Sequence, residues 1–83
     1  MNAKIEYLDH LVNHLLAHNS PQKMEKALSD LLTASELDEV AKRLQIFEML
    51  AAGVPQRQIA ESLGVGIATV SRGSSVLKKH RRI

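Results

Sequence analysis

The segment Gln56–Ser75, QRQIAESLGVGIATVSRGSS, constrains this chain more than any other stretch. Ile59, Ala60 and Leu63 recur at helical spacing and give a first short helix one apolar face. Ala60 is small, which suits a point where two helices cross almost in contact. Gly64 and Gly66 bracket Val65 and read as a tight turn, with a positive φ that costs little only for glycine. Ile67, Val70 and Leu77 give a second helix its apolar face, while Thr69, Ser71, Arg72 and Ser75 project from the other side. Two short helices around a glycine turn, with hydroxyls and a guanidinium on the outside of the second, form a helix-turn-helix. That element lays its second helix into the DNA major groove, where such side chains meet phosphates and base edges. An ordinary αα-hairpin shares the apolar pattern but has no need of this polar face.

Size limits what else the chain can be. Its 83 residues fill one small domain. A domain of that length buries only about 60–65% of its unfolded surface. There is no cysteine for a disulfide and no paired Cys/His cluster for a structural zinc. Association is the remaining route to stability, so a homodimer is expected. No apolar run reaches membrane-span length, and Glu6, Asp9 and His10 lie where a signal peptide is apolar. The expectation is a soluble cytoplasmic protein with no membrane partner. The net charge of +2 is unevenly divided, with −4 on residues 1–40 and +6 on residues 41–83. That division predicts a polyanion-facing surface in the second half, sharpest in the basic run Lys78-Lys79-His80-Arg81-Arg82.

The rest of the sequence reads as helix throughout, giving an all-α fold of five helices. The first runs from about Ala3 to His18 with Ile5, Leu8, Val12, Leu15 and Leu16 on one face. This face is long for a peripheral helix and is expected to form the dimer, with intrachain core as the competing reading. Asn19-Ser20-Pro21 breaks it; Ser20 caps the second helix and Pro21 occupies its first turn. Thr33-Ala34-Ser35-Glu36 matches a capping box at the start of the third helix, which runs to about Ala52 and stops at Gly53. Pro55 opens the fourth helix, and the fifth ends near Lys79.

Catalytic and metal-binding patterns are weak. His10, His14 and His18 recur at i, i+4, i+8, but no Cys or carboxylate elsewhere completes a metal site, so a solvated stripe is expected. No nucleophile elbow or phosphate loop is present, and Gly64-Val65-Gly66 lacks the strand that precedes a dinucleotide site. No enzyme, cofactor or metal is expected. Arg43 lies in an otherwise mostly apolar helix. It and Arg72 have the chemistry to stack on an aromatic ligand and bind its carboxylate, and equally to contact phosphates at the surface. Residue types leave both roles open.

Leu32 through Lys78 resembles the bacterial tryptophan repressor family. The run GVGIATVSRGSSVLK at 64–78 carries most of the likeness, supported by Leu32-Thr33, Glu36, Arg43, Ile46, Glu48 and Gln56-Arg57. The first two helices match in kind only. The resemblance implies an intertwined all-helical homodimer that presents two reading heads to a palindromic double-stranded operator. It also implies L-tryptophan as corepressor between the central and recognition helices. Residue by residue, it places Arg43 and Arg72 on either side of the indole, Arg72 on the ligand carboxylate with Thr33 beside it, and Thr69 and Gly73 in the pocket wall. On the DNA side it places Arg57, Ile67, Ala68 and Ser71 toward bases, often through water. Gln56, Thr69, Ser74 and Lys78 face phosphates, with Gly66 and Arg72 also on the DNA surface.

Three departures stand out. Val76 replaces a serine that helps hold the ligand amino group, Ala60 replaces a basic residue near DNA, and the sequence stops at Ile83 without the family's last helix. The resulting expectation is a single domain over 1–83. It comprises dimerisation helices at 1–32, a central helix at 34–52, a helix-turn-helix at 56–79 and a basic tail at 80–83. Its expected function is that of a DNA-binding regulator, most simply a repressor controlled by L-tryptophan or a similar amino acid. A ligand-independent regulator of the same fold and a helical protein-interaction module are the alternatives.

Overall fold

The computed structural model describes residues 3–81. Five helices follow one another: α1 (Ala3–Leu16), α2 (Pro21–Leu31), α3 (Ala34–Ala51), α4 (Gln56–Leu63) and α5 (Ile67–Arg81). No strand occurs among the described residues. The all-α reading therefore holds. Arg82 and Ile83, at the end of the basic tail, lie outside the described residues.

Local chemistry sets each boundary. Ser20 is extended (φ −136°, ψ 155°), and its hydroxyl accepts the Lys23 N–H at 3.2 Å, with Pro21 in the first turn of α2. The capping box at α3 is closed in both directions. The Thr33 N–H donates to Glu36 Oε1 at 2.8 Å, and the Glu36 N–H donates to Thr33 Oγ1 at 3.1 Å. The Thr33 N–H, donating to the carboxylate, holds the Glu36 carboxyl below its ordinary pKa, and the Thr33 side chain adds to the effect. At the end of α1 the structure departs from the sequence reading: the helix stops at Leu16, not His18. His18 has left the helix, and its Nδ1 lies 2.7 Å from the His14 carbonyl, which it caps in donor form. The two imidazole rings sit 4.7 Å apart, centroid to centroid.

Helices α3 and α4 end alike, on a Gly-Val pair. Gly53 (φ 85°) and Gly64 (φ 66°) take the left-handed conformation. Val54 N–H then reaches the Met49 carbonyl at 3.0 Å, and Val65 N–H reaches the Ala60 carbonyl at 3.1 Å. In both cases the valine folds back onto the hydrophobic cluster. Gly66 behaves otherwise: its φ is not positive. The left-handed step belongs to Gly64 alone, and Gly66 instead starts α5, accepting from Thr69 at 3.1 Å through its carbonyl.

The chain divides into two compact units, one ending at Leu37 and the other beginning at Asp38, within the first turns of α3. The second unit carries a core in which three helices contribute one fully buried residue each: Ile46 from α3, Ile59 from α4 and Val70 from α5. Each such side chain contributes about 1.5–3 kcal/mol by leaving water. Leu50, Val54, Ala60 and Leu63 pack around them. Ala60 thus serves the helix crossing, as its size suggested. Ile67 does not join the core: it is half exposed, and Val70 is the residue of α5 that enters the buried cluster. In the first unit Ala27 of α2 is buried, whereas Ile5, Leu8, Val12 and Leu16 of α1 are all exposed.

Candidate functional site

Helix α5 carries three stripes. At 3.6 residues per turn, Val70 is buried in the core and Leu77 follows it by seven positions, half-buried. Thr69, Arg72, Gly73 and Val76, at i, i+3, i+4 and i+7, form a second stripe on one side of it. Ile67, Ser71, Ser74 and Lys78 form a third on the opposite side, with Ala68 and Ser75 at the outer edge. Neighbouring positions on one helix are thereby sent to different tasks.

The second stripe faces α3 across a cavity of about 250 Å³, lined by Arg43, Ile46, Phe47, Thr69, Arg72, Gly73 and Val76. Its floor is apolar: Ile46 and Gly73 are buried, and Phe47 and Val76 are half-buried. Its rim is polar and exposed, with Arg43 from α3 and Arg72 from α5 on facing walls and Thr69 beside them. Two guanidinium groups over an apolar floor suit a flat apolar ligand bearing a carboxylate, because the planar cation both stacks and donates in pairs. Arg43 also pairs with Glu39 one turn earlier, at 3.9 Å and exposed to solvent. A pair of that kind contributes little and yields readily to a better acceptor.

Gly73 is in the cavity wall, as the sequence comparison implied, but its absent side chain answers to another demand as well. A Cβ there would sit 2.8 Å from Ile46 Cγ2. The glycine is what lets α5 approach α3. Four of the five sequence-derived ligand residues, Arg43, Thr69, Arg72 and Gly73, line the cavity. Thr33 is not among the lining residues; its N–H donates to Glu36 and its hydroxyl oxygen accepts from the Glu36 N–H, which leaves the hydroxyl proton available to a further acceptor. Ile46 and Phe47 were not singled out as lining residues, although they follow Arg43 by three and four positions, the spacing that marks a shared helix face.

On the outer side of the helix-turn-helix, Arg57, Ile67, Ala68, Ser71 and Lys78 are exposed, and Gln56 and Ser74 are half-buried. Ser71 Oγ donates to Gln56 Oε1 at 2.8 Å, tying the start of α4 to the middle of α5. The proton of Ser71 is therefore committed within the motif, and its oxygen remains as an acceptor toward solvent. Thr69 and Arg72, assigned to both ligand and DNA, lie on the cavity stripe. Gly66 is exposed, and a Cβ added there would meet nothing within 4 Å. Neither backbone geometry nor packing within this chain demands that glycine. Among the described residues no three His, Asp or Glu side chains cluster as a metal site would require.

Comparison with known proteins agrees with this geometry. The family model described as Trp repressor protein matches residues 6–82. A protein named Trp operon repressor homolog from Aliivibrio fischeri (strain MJ11) is 39% identical over 83 residues, which is 96% of this chain and 77% of the relative. A protein of the same name from Vibrio vulnificus (strain YJ016) is 40% identical over 81 residues, covering 94% and 79% of the two chains.

Proposed function

This chain belongs to the Trp repressor family, a family of transcriptional regulators and not of enzymes, and on that premise we propose that it is a DNA-binding repressor controlled by L-tryptophan or a similar amino acid. The observation that carries the proposal is the division of α5. One stripe of that helix lines the cavity, and the opposite stripe is free to meet DNA. A ligand wedged between α3 and α5 acts directly on the pose of the reading helix. Control then follows as a population shift: the ligand favours whichever pose it binds better, and DNA favours the same one.

The DNA-facing set consists of Gln56, Arg57, Gly66, Ile67, Ala68, Ser71, Ser74 and Lys78, with Thr69 and Arg72 shared with the ligand. The ligand-facing set consists of Thr33, Arg43, Thr69, Arg72 and Gly73. The protein works as a homodimer on a palindromic operator, for which the exposed apolar residues of α1 supply a surface. Residues 1–83 act as one DNA-binding domain in the cytoplasm. No helix among the described residues is long and apolar enough to cross a membrane.

Titration of L-tryptophan into the protein, followed by operator selection with and without it, tests this reading. The chain has no tryptophan, so ligand fluorescence is free of background. The expected result is saturable binding near one per chain, lost in Arg72→Ala while the helical circular dichroism persists. Binding retained in Arg72→Ala overturns the pocket assignment. Operator binding that is indifferent to any amino acid points to the ligand-independent regulator, and DNA affinity insensitive to salt points to a protein-interaction module.

A further inference from the structure

Helix α4 packs Ile59, Ala60 and Leu63 into the core and leaves Arg57, Gln58, Glu61 and Ser62 exposed. Arg57 and Glu61 are four positions apart, so they share one outer stripe, separated by about 6 Å of helix rise. The ion pairs of the described residues are Lys26–Asp30, Lys42–Asp38 and Arg43–Glu39, and neither Arg57 nor Glu61 takes part in one. Their order disfavours a pair, since a cation one turn before an anion is the weaker arrangement on a helix. Glu61 is also the one side-chain carboxylate in residues 49–83, against the cations Arg57, Arg72, Lys78, Lys79, Arg81 and Arg82.

A carboxylate in that company does not serve phosphate. It repels the backbone that its cationic neighbours attract and so lowers affinity for DNA at large. Base edges offer it more. In the major groove cytosine N4 and adenine N6 are the donors. Adenine sets its N7 acceptor beside that donor, against the second carboxylate oxygen, whereas cytosine sets a C–H there. Resting on the reading of α4 and α5 as the DNA-reading pair, we infer that Glu61 is a specificity-determining residue. It selects a cytosine close to the guanine that suits the fork of Arg57. Any other base there leaves a desolvated carboxylate without a donor, so the gain is discrimination and not affinity.

The test is operator selection from random-sequence DNA, with and without L-tryptophan, followed by titration of selected, singly substituted and random duplexes. Glu61→Ala and Glu61→Gln are compared with wild type. Glu48→Gln, which removes one exposed charge from α3, is the control. Circular dichroism establishes that each is folded. Wild type is expected to select cytosine at a fixed distance, about one or two base pairs, from a guanine. Replacing that cytosine should cost it about fivefold or more. Glu61→Ala should lose this preference and keep the one for guanine, while Glu61→Gln should move it toward adenine, whose N6 and N7 suit an amide. Both should gain about two- to threefold on random DNA. A gain on random DNA with the cytosine preference intact overturns the inference and leaves DNA reading by this segment standing. So does loss of that preference in Glu48→Gln, which assigns it to net charge. A wild type that selects no sequence under either condition overturns the DNA-reading premise, and this inference with it.

Discussion

Replacing Gly73 with alanine sets two opposed effects against each other at one atom. The new Cβ comes to 2.8 Å from Ile46 Cγ2, against an ordinary carbon contact of about 3.5–4.0 Å. Ile46 is only 1% exposed, and its Cγ2 is bonded directly to Cβ. It moves only if the whole side chain leaves its rotamer or α3 shifts. Overpacking of this kind costs about 1–3 kcal/mol. Alanine in a helix interior recovers about 0.8–1.0 kcal/mol relative to glycine. The net expectation is a loss of about 1 kcal/mol, or roughly 4–8 °C in melting temperature for a domain of this size. The informative comparison uses Ile46→Leu, which keeps the volume but removes the branch at Cβ. In that background Gly73→Ala is expected to stabilise by about 0.5–1 kcal/mol, because only the helix term remains. Urea denaturation followed by circular dichroism, at one fixed protein concentration, measures all four corners of the cycle. Equal effects of Gly73→Ala in the two backgrounds, within about 0.5 kcal/mol, would refute the close-approach argument.

Other perturbations probe the remaining parts. Folding lowers the pKa of Glu36, so its charge stabilises the fold above the ordinary carboxylate range, and that share is lost as pH falls through the lowered value. Glu36→Gln keeps an acceptor and removes the charge. Thermal melts should show the variant below wild type at neutral pH and level with it in strong acid, and a gap independent of pH contradicts the charged cap. Gly66→Ser should leave stability unchanged or raise it by a few tenths of a kcal/mol, since serine caps a helix at least as well as glycine. Its DNA affinity should fall, because a side chain now stands where the backbone would approach phosphate; undiminished affinity removes Gly66 from the interface. Arg57→Ala should cost about 1–3 kcal/mol on the cognate operator and far less on random DNA. Lys78→Ala should weaken both alike and lower the salt slope by about one. Mobility shifts on the two DNAs at two salt concentrations decide, and equal losses for Arg57→Ala speak against base reading.

The helix boundaries, apart from the end of α1, were legible because they rest on neighbours in sequence. Thr33 and Glu36 are three residues apart, as are Ser20 and the Lys23 N–H it caps, and each glycine turn closes within a few residues. The cavity stripe at 69, 72, 73 and 76 was half legible, since the spacing is that of one helix face. Resemblance added Arg43 from a helix some thirty positions earlier. Periodicity went astray at Ile67, which lies close enough to the core-facing direction of α5 to be read as core, and at Gly66, where proximity to Gly64 suggested a shared conformation.

The amino-acid sequence by itself determined five helices, their caps, the polar outer face of α5 and the family to which the chain belongs. Those features depend on backbone hydrogen bonds and helical period, which act over a few residues. Only the tertiary structure decided that Gly73 yields space to Ile46, that Ser71 gives its proton to Gln56, and that Arg43 and Arg72 line one cavity with Ile46 and Phe47. Each of these depends on which atoms two separate helices bring within contact distance. Side-chain packing falls off within an ångström, so no periodicity along a single helix encodes it.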